Sequence, residues 1–143
     1  MLLFPKKPKF FKSFANKNLT NNSKKNRNIL KFSRICLIAG QAGFIPNFQI
    51  EAIRTTLKLL VKKKAKIFFR LFPSQPITKK PNEVRLGRGK GNTAYWSYYA
   101  KKNKILIEVS GPNTKLITLV LNVLKYKLNI KSYIYNQKFR WTF

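Results

Sequence analysis

Apolar residues recur at three- and four-residue spacing in two stretches of the chain, 47–63 and 113–127. This spacing places them on one side of an α-helix, so it predicts two helices that each bury one face. The expected buried residues are Ile50, Ile53, Leu57 and Leu60 in the first helix, and Leu116, Leu119, Val120, Val123 and Leu124 in the second. Pro46-Asn47 opens the first helix, and Gly111-Pro112-Asn113 precedes and caps the second.

Short apolar or alternating segments around these helices predict strands. They cover residues 34–39, 66–72, 94–99, 104–109 and 131–135. Because 66–72 is apolar on both faces, we expect a central or covered strand there. The connection 100–103 fits a hairpin, and the glycines of 40–43 mark a loop. Pro73 and Pro76 stop the strand at 66–72, and residues 73–92 are predicted to form a loop, which at this length is usually functional.

The charge of the chain is strongly one-sided. Thirty-one Lys and Arg stand against three acids, with no His, which gives a formal net charge of +28 on 143 residues. Self-repulsion disfavours a compact state with this charge, and a bound polyanion would relieve it. Nucleic acid is the first candidate because neutralised phosphates release counterions, and an anionic membrane surface is the second. The apolar content of 44% predicts one globular domain rather than a disordered basic tail.

The same composition removes most enzyme chemistry. Without His there is no imidazole base and no common zinc ligand, and a carboxylate pair would need two of three scattered glutamates. Cys36 lies in an apolar stretch and is expected to be buried rather than reactive. No apolar run approaches the roughly 18 residues of a membrane span. We therefore expect no enzyme, no catalytic residue, no metal and no cofactor, and neither a membrane nor a small-molecule substrate among the partners.

Composition divides the chain into three parts. Residues 1–33 form a basic arm and loop, 34–136 a globular α+β domain, and 137–143 a basic aromatic tail. The arm begins with alternating Lys, Pro and Phe, and its second half is rich in Asn, Ser and Lys. Its lysines are expected to meet phosphate while Phe10 and Phe11 pack or stack, and a frayed terminus is the alternative.

Glycine alternates with cations in the segment 79–92. Gly87, Gly89 and Gly91 surround Arg88 and Lys90. Glycine permits positive φ and a close approach of the backbone to a ligand, which suits phosphate and folded RNA. A dinucleotide fingerprint needs a following helix, and an NTPase phosphate loop needs Gly-Lys-Ser/Thr, and neither pattern is present. A flexible connector is the alternative to RNA contact.

Four motifs between residues 44 and 99 resemble a known family. They read Gln49-Ile50-Glu51-Ala52-Ile53-Arg54, Lys66-Ile67-Phe68-Phe69-Arg70-Leu71-Phe72-Pro73, Pro76-Ile77-Thr78-Lys79-Lys80-Pro81 and Val84-Arg85-Leu86-Gly87-Arg88-Gly89-Lys90-Gly91. Together they closely resemble bacterial-type large-subunit ribosomal protein sixteen. The likeness reaches from Pro5-Lys6-Lys7-Pro8-Lys9-Phe10 to Lys127-Leu128-Asn129-Ile130-Lys131, and is weakest over 13–33 and after 135.

The resemblance implies an α+β fold with a mixed or antiparallel sheet, two packed helices, a long projecting glycine/lysine loop and an extended basic N-terminal arm. It implies binding to large-subunit rRNA, and a part in shaping the A-site tRNA region near the peptidyl-transferase centre, beside neighbouring ribosomal proteins. The residues expected at the RNA are Lys79, Lys80, Arg85, Leu86, Gly87, Arg88, Gly89, Lys90 and Gly91 in the loop, Lys6, Lys7, Lys9, Phe10 and Lys12 in the arm, and Arg54, Lys62, Lys63 and Lys64 elsewhere.

Three further expectations follow from the resemblance. Pro46 stands where a threonine usually caps the first helix, so Asn47 is expected to cap it. Because the chain starts in register with the family's mature start, we expect no presequence. With the Lys-, Asn-, Ile- and Phe-rich usage, this favours a mitochondrial product over a plastid or bacterial one. A free-standing non-sequence-specific nucleic-acid-binding protein and a cationic membrane-active protein are the alternative functions.

Overall fold

The computed structural model describes residues 3–14, 30–85, 87 and 89–137. Its elements are β1 Ile35–Ala39, β2 Gly43–Pro46, α1 Asn47–Val61, β3 Lys66–Phe69, β4 Gln75–Lys79, β5 Asn92–Ala100, β6 Ile105–Ser110, α2 Thr114–Lys125 and β7 Ser132–Asn136. Four strands form one sheet in the order β3-β6-β1-β7, and three form a second in the order β2-β5-β4. All these strand pairs are antiparallel. The predicted α+β class is confirmed, with two antiparallel sheets where one was expected.

The core lies between one face of the four-stranded sheet and the two helices. The sheet contributes Ile35 and Leu37 of β1 and Ile107 and Val109 of β6. The helices contribute Ile50, Ile53, Leu57 and Val61 of α1 and Ile117, Val120, Leu121 and Leu124 of α2. Each fully buried Leu or Ile contributes about 1.5–3 kcal/mol. This contact is therefore what holds the fold against the repulsion of its surface charge.

Both helices bury a face that is rotated from the predicted one. In α1 Val61 is buried and Leu60 is exposed. In α2 Leu121 is buried, whereas Leu119 and Val123 are exposed. The predicted faces were wrong at these positions because apolar residues occupy two overlapping sides of each helix. Spacing alone fits both sides, and the sheet selects one.

The two helices begin differently. Asn113 caps α2, and its Oδ1 accepts a hydrogen bond from the Leu116 N–H at 3.0 Å, as predicted. At α1 the cap position is Pro46, which offers no side-chain acceptor. Asn47 is already helical, and its Oδ1 accepts from the adjacent Phe48 N–H at 3.0 Å. The expectation that Asn47 caps α1 was therefore wrong.

Two strands were not predicted: β4 lies in the segment predicted as loop, and β2 begins at Gly43, the last residue of the predicted loop 40–43. β2 has only four residues and follows a glycine-flanked stretch. β4 contains Pro76, and it lies at the edge of its sheet, where the missing N–H costs no ladder hydrogen bond. The segment predicted as a long loop is thus a hairpin of β4 and β5, paired from Gln75–Ser97 to Lys79–Asn92, with a shorter loop at 80–91.

The connection at 100–103 is a turn but not a hairpin. The Lys104 N–H donates to the Lys101 carbonyl at 3.1 Å, and Asn103 adopts a φ of 64°. However, β5 pairs with β2 and β4, while β6 pairs with β1 and β3. The turn therefore carries the chain from one sheet to the other. Local residues indicate a turn but do not determine which strands then pair.

The strand predicted at 66–72 ends at Phe69 and lies at the edge of its sheet. The prediction that it is central was therefore wrong. It is nevertheless covered on both faces. Ile67 and Phe69 pack against the core. On the opposite face, the ring of Phe68 stacks on Phe32 with the centroids 4.6 Å apart.

The outer face of this sheet holds the buried carboxylate of Glu108. Its Oε1 accepts from Arg70 Nη1 at 2.6 Å, and its Oε2 accepts from the N–H groups of Phe32 and Ser33 at 2.8 and 3.2 Å. Burial alone would raise the pKa of Glu108, but these hydrogen bonds outweigh it and hold that pKa below its ordinary value. Cys36 lies opposite Glu108 in β1. Its burial, together with the carboxylate, raises the pKa of the thiol to about 12, which agrees with the predicted buried, unreactive cysteine.

Two different structural features explain why the loop has glycine at positions 87, 89 and 91. Gly87 and Gly89 adopt φ values of 103° and 85°, in the region that favours glycine. Gly91 instead lies where a Cβ would be 2.6 Å from the Lys79 carbonyl oxygen and 2.9 Å from the Lys80 nitrogen. Gly91 therefore lets the two sides of the hairpin approach each other, while the other two glycines shape the tip.

We expect Glu108→Gln to lower the free energy of unfolding by about 2–4 kcal/mol, because Arg70 loses its buried partner charge. The folded pKa of Glu108 lies below the unfolded one. The stabilisation by Glu108 is therefore fully present at pH values above the ordinary glutamate pKa. It is lost as the pH falls through that pKa toward the lower pKa of the folded state. Urea unfolding followed by circular dichroism, at neutral and acid pH, measures both effects.

The matched control is Glu83→Gln, which removes the same charge from an exposed position in the loop. It should leave both the free energy of unfolding and its acid sensitivity close to those of the parent chain. Equal losses in the two variants would show that general charge, and not the Glu108 contacts, sets the stability.

We expect Gly91→Ala to loosen the loop end of the β4–β5 hairpin, because the new methyl group meets backbone atoms. Gly89→Ala should strain the tip by about 1–2 kcal/mol without disturbing the Lys79–Asn92 pairing. Amide hydrogen exchange should accelerate across that pair in Gly91→Ala only. Exchange that is unchanged in Gly91→Ala would contradict the close-approach role.

Candidate nucleic-acid interface

The N-terminal arm lies against the base of the glycine loop. Thr93 Oγ1 donates to the Phe11 carbonyl at 2.5 Å, and Lys12 Nζ donates to the Lys90 carbonyl at 3.1 Å. The Lys90 ammonium in turn lies 3.9 Å from the ring centroid of Phe14, which is a cation–π contact. Two segments that the sequence predicts separately thus form one surface. We call residues 9–14 together with 79–85, 87 and 89–93 the arm–loop surface.

The cations of the arm–loop surface fall into two groups. Lys80 Nζ donates to the Gly87 carbonyl and so braces the loop from inside. Lys90 is engaged with the arm, as described above. The remaining cations, whose side chains are exposed, are Lys9, Lys12, Lys79 and Arg85, and Lys6 and Lys7 precede them on the arm. The exposed group can contact phosphates, and within it Lys12 also joins the arm to the loop through the Lys90 carbonyl. Lys80 and Lys90 fix the shape of the surface.

Aromatic rings are exposed among these cations. Phe10, Phe11 and Phe14 are 65%, 66% and 87% exposed. The Lys9 ammonium lies 5.6 Å from the ring centroid of Phe10. Burying these rings away from water would be favourable, and no part of the described chain buries them. Cations interleaved with accessible rings are the usual composition of surfaces that bind RNA phosphates and stack unpaired bases.

The three acids do little to neutralise this surface. Glu51 is paired within α1, where Arg54 Nε donates to its two carboxylate oxygens at 3.0 and 2.9 Å. That hydrogen bonding holds the pKa of Glu51 below its ordinary value. Glu108 is engaged with Arg70, which leaves Glu83 as the one acid of the arm–loop surface. Arg54, a predicted RNA contact, is thus placed beside a carboxylate rather than beside the other predicted cations.

The three lysines at the end of α1 form a separate exposed turn, Lys62–Lys64. The Lys64 N–H donates to the Val61 carbonyl at 3.0 Å, and Lys62 adopts a φ of 50° and a ψ of −128°. Glycine adopts this conformation with less strain than lysine does. A Cβ at Gly111 would lie 3.1 Å from the Lys64 carbonyl oxygen. The turn therefore adjoins the end of β6, which belongs to the other sheet from the glycine loop.

Some predicted site residues lie outside the described residues. These are Leu86 and Arg88 of the loop, the segment 15–29 and the tail from 138. Sequence reasoning in turn missed Phe14 and Thr93, which join the arm to the loop. Phe14 carried a signal, since it is another ring among lysines. Thr93 carried none, because one hydroxyl in a strand reveals nothing about a carbonyl 82 residues away.

The described parts of the chain contain neither a membrane-spanning helix nor a metal centre. None of the helices there has the length and apolar character needed to cross a bilayer. Nor do three or more His, Cys, Asp or Glu side chains of those residues come together as metal ligands. The chemistry that the described surface offers is cation contact and ring stacking.

Known proteins resemble this chain over nearly its whole length. The family model of ribosomal protein L16p/L10e matches residues 5–135. Large ribosomal subunit protein uL16 of Blochmanniella pennsylvanica is 40% identical over 132 residues, which cover 92% of this chain and 96% of that protein. The uL16 of Acinetobacter baylyi is 39% identical over 133 residues, covering 93% and 96%. The uL16c of Euglena longa is 38% identical over 136 residues, covering 93% and 97%.

These relatives are ribosomal proteins, and both bacterial and organellar members occur among them. The matched region includes the arm from residue 5, the glycine loop and every helix and strand up to β7. The chain therefore belongs to the ribosomal protein L16p/L10e family, whose members are structural, non-enzymatic components of the large ribosomal subunit.

Proposed function

We propose that this chain binds large-subunit rRNA through the arm–loop surface and so helps to shape the A-site tRNA region near the peptidyl-transferase centre. The observation that carries this proposal is the joining of the arm to the loop by the Thr93–Phe11 and Lys12–Lys90 hydrogen bonds. Because of these contacts, the exposed lysines and phenylalanines of the arm lie beside the exposed cations of the loop, where one ligand could meet both. RNA supplies phosphates for the cations and base faces for the phenylalanines.

The shape of the loop supports this assignment. Lys80 and Lys90 are held by contacts within the surface, so the loop has a defined form before RNA binds. Gly87 and Gly89 lie at the tip, with open space around the position of a Cβ. Because Gly87 and Gly89 have no side chains, their backbone N–H groups can come close to a phosphate or a sugar. We propose that this tip is the part that reaches toward the A-site tRNA.

A free-standing RNA-binding protein would use the same surface, so the location of the chain distinguishes that function from the ribosomal one. The ribosomal function requires the chain to be present in large subunits purified on sucrose gradients. Its absence from them would overturn the proposal. We further propose the mitochondrial ribosome as its location, on the basis of the Lys-, Asn-, Ile- and Phe-rich composition. Recovery in ribosomes from plastids or from bacterial cytoplasm instead would overturn that placement alone.

We expect Arg85→Ala to weaken binding to large-subunit rRNA and to reduce the slope of log affinity against log salt by about 1, because a phosphate contact is lost. Lys90→Ala should weaken binding more and change the slope less, because it removes the cation–π contact that holds Phe14 and so disturbs the shape of the surface. Filter binding over a range of salt concentrations measures both quantities.

Lys101→Ala is the matched control, because it removes an exposed cation from the turn between the two sheets. It should leave the salt slope close to that of the parent chain. If Arg85→Ala, Lys90→Ala and Lys101→Ala reduce the salt slope equally, binding depends on total charge alone. The arm–loop surface would then have no special role.

A further inference from the structure

The outer face of the four-stranded sheet carries two exposed tyrosines. Tyr133 and Tyr135 are two residues apart on β7, so their side chains leave the strand on the same side. The strand register identifies that side, because Tyr135 lies opposite Cys36, and Cys36 lies opposite Glu108 of the outer face. Tyr133 is 59% exposed and Tyr135 is 48% exposed. The proposed function gives these two rings no role.

The accessible part of this outer face lies at β7. Ile134, between the two tyrosines, points the other way and packs against the core. The stacked rings of Phe32 and Phe68 cover the outer face at β3, and β3 and β7 are the two outermost strands of the sheet. The tyrosines therefore lie at the side of the sheet away from that stack, where a ligand can reach them.

The ring of Tyr133 is held in position by the backbone of Gly40. A Cβ at Gly40 would collide with Cε2 of the ring and would lie 3.0 Å from its Cδ2 and Cζ. Gly40 does not adopt a positive φ, so room for the ring is what requires glycine at this position. A planar group that stacks on a ring held in this way loses little of its binding energy to ordering the protein.

Two exposed lysines flank the same glycine. The Gly40 N–H donates to the Lys131 carbonyl at 2.7 Å, and the Ala39 N–H donates to the Lys104 carbonyl at 2.9 Å. Both lysines are exposed. Lys131 precedes Tyr133 by two residues, so the alternation of the strand places it on the outer face as well. One cation and two rings therefore follow one another along the outer face of β7.

The charge of this face favours RNA as its ligand. Glu108 is the one acid in the described strands of this sheet, and its buried carboxylate is engaged with Arg70. Exposed cations beside accessible rings, with no free carboxylate among the described residues of the sheet, match a ligand that offers phosphates and base faces. An apolar protein surface would instead cover the two phenol hydroxyls without giving them hydrogen-bond partners.

We propose that the outer face at β7 binds a single-stranded segment of RNA, with one base stacked on Tyr133, a second on Tyr135 and a phosphate at Lys131. This inference rests on the proposed function in that the ligand is RNA, but it concerns a surface other than the arm–loop surface. The two tyrosines are about 7 Å apart along the strand, so each ring can meet a different base. RNA-recognition-motif domains likewise stack bases on the aromatic residues of a four-stranded sheet.

Base-specific chemical probing of rRNA in purified large subunits tests the proposal. The subunits carry the parent chain, Tyr133→Leu, Tyr135→Leu, Tyr135→Phe or the control Tyr126→Leu. Tyr126 is 91% exposed and follows α2, on the helix side of the sheet. We expect an unpaired base that is protected in parent subunits to become roughly tenfold more reactive with Tyr135→Leu, because leucine lacks a stacking face. Tyr133→Leu should do the same to a neighbouring base.

The other two variants identify the mode of binding. Tyr135→Phe keeps the ring and should keep the protection of the base, whereas Tyr126→Leu should change neither base. Equal loss of protection with Tyr135→Leu and Tyr135→Phe would overturn stacking as the interaction. If Tyr133→Leu fails to enter subunits because its contact with Gly40 is lost, the Tyr135 variants decide, since the ring at Gly40 is that of Tyr133.

The outcomes separate this inference from the proposed function. If neither Tyr133→Leu nor Tyr135→Leu exposes a base, the outer face does not bind RNA, while the salt slope of Arg85→Ala still tests the arm–loop surface. If the tyrosine variants expose bases but Arg85→Ala has the same slope as Lys101→Ala, the arm–loop surface is wrong and this inference stands. A neighbouring protein seated on the tyrosines would leave rRNA reactivity unchanged and so would also overturn the proposal.

Discussion

The hydrogen-bonded carboxylate of Glu108 is the interaction on which the rest of this structure depends. It joins three parts of the chain that are remote in sequence: β6, the end of β3 through Arg70, and the segment at 32–33 that leads into β1. It is the one buried charged residue within the described ranges. An isolated buried charge would be strongly destabilising, and three donors to its two oxygens remove most of that cost. The same contacts seal the outer face of the sheet over Cys36 and orient the ring of Phe32.

With Glu108 and Glu51 committed to arginines, the chain has almost no acid left to balance its surface. Cohesion must then come from the apolar contact between the helices and the four-stranded sheet, which contains no charged group on its inner face among the described residues. The exposed cations work against that cohesion, and RNA bound as proposed would work for it, because a ligand that binds only the folded chain raises its stability. Under that proposal, the charge that weakens the isolated protein would also couple its folding to its place in the ribosome.

Features that repeat locally along the chain were predicted, and features that depend on distant partners were not. The two helices, five strands and the Asn113 cap follow from spacing within a dozen residues, and so do the cations and glycines of the loop. The β4 strand was missed because Pro76 disfavours a strand everywhere except at an edge, and edge position is a property of the assembled sheet. In the site, residue types predicted which side chains are cationic. Only the fold shows that Lys80 and Lys90 are engaged in holding the loop and the arm.

The two sets of exposed rings differ in a way that matters for recognition. Phe14 on the arm is 87% exposed and is held by one lysine, so it can adapt to whatever base or sugar it meets. Phe32 is fixed by a second ring and by a buried carboxylate. Contacts to phosphate supply affinity that is nearly independent of sequence, whereas contacts to bases from rings held in a fixed position supply specificity. A protein with this much charge would bind any RNA in many ways, and the fixed shape of the arm–loop surface is the feature that would select among them.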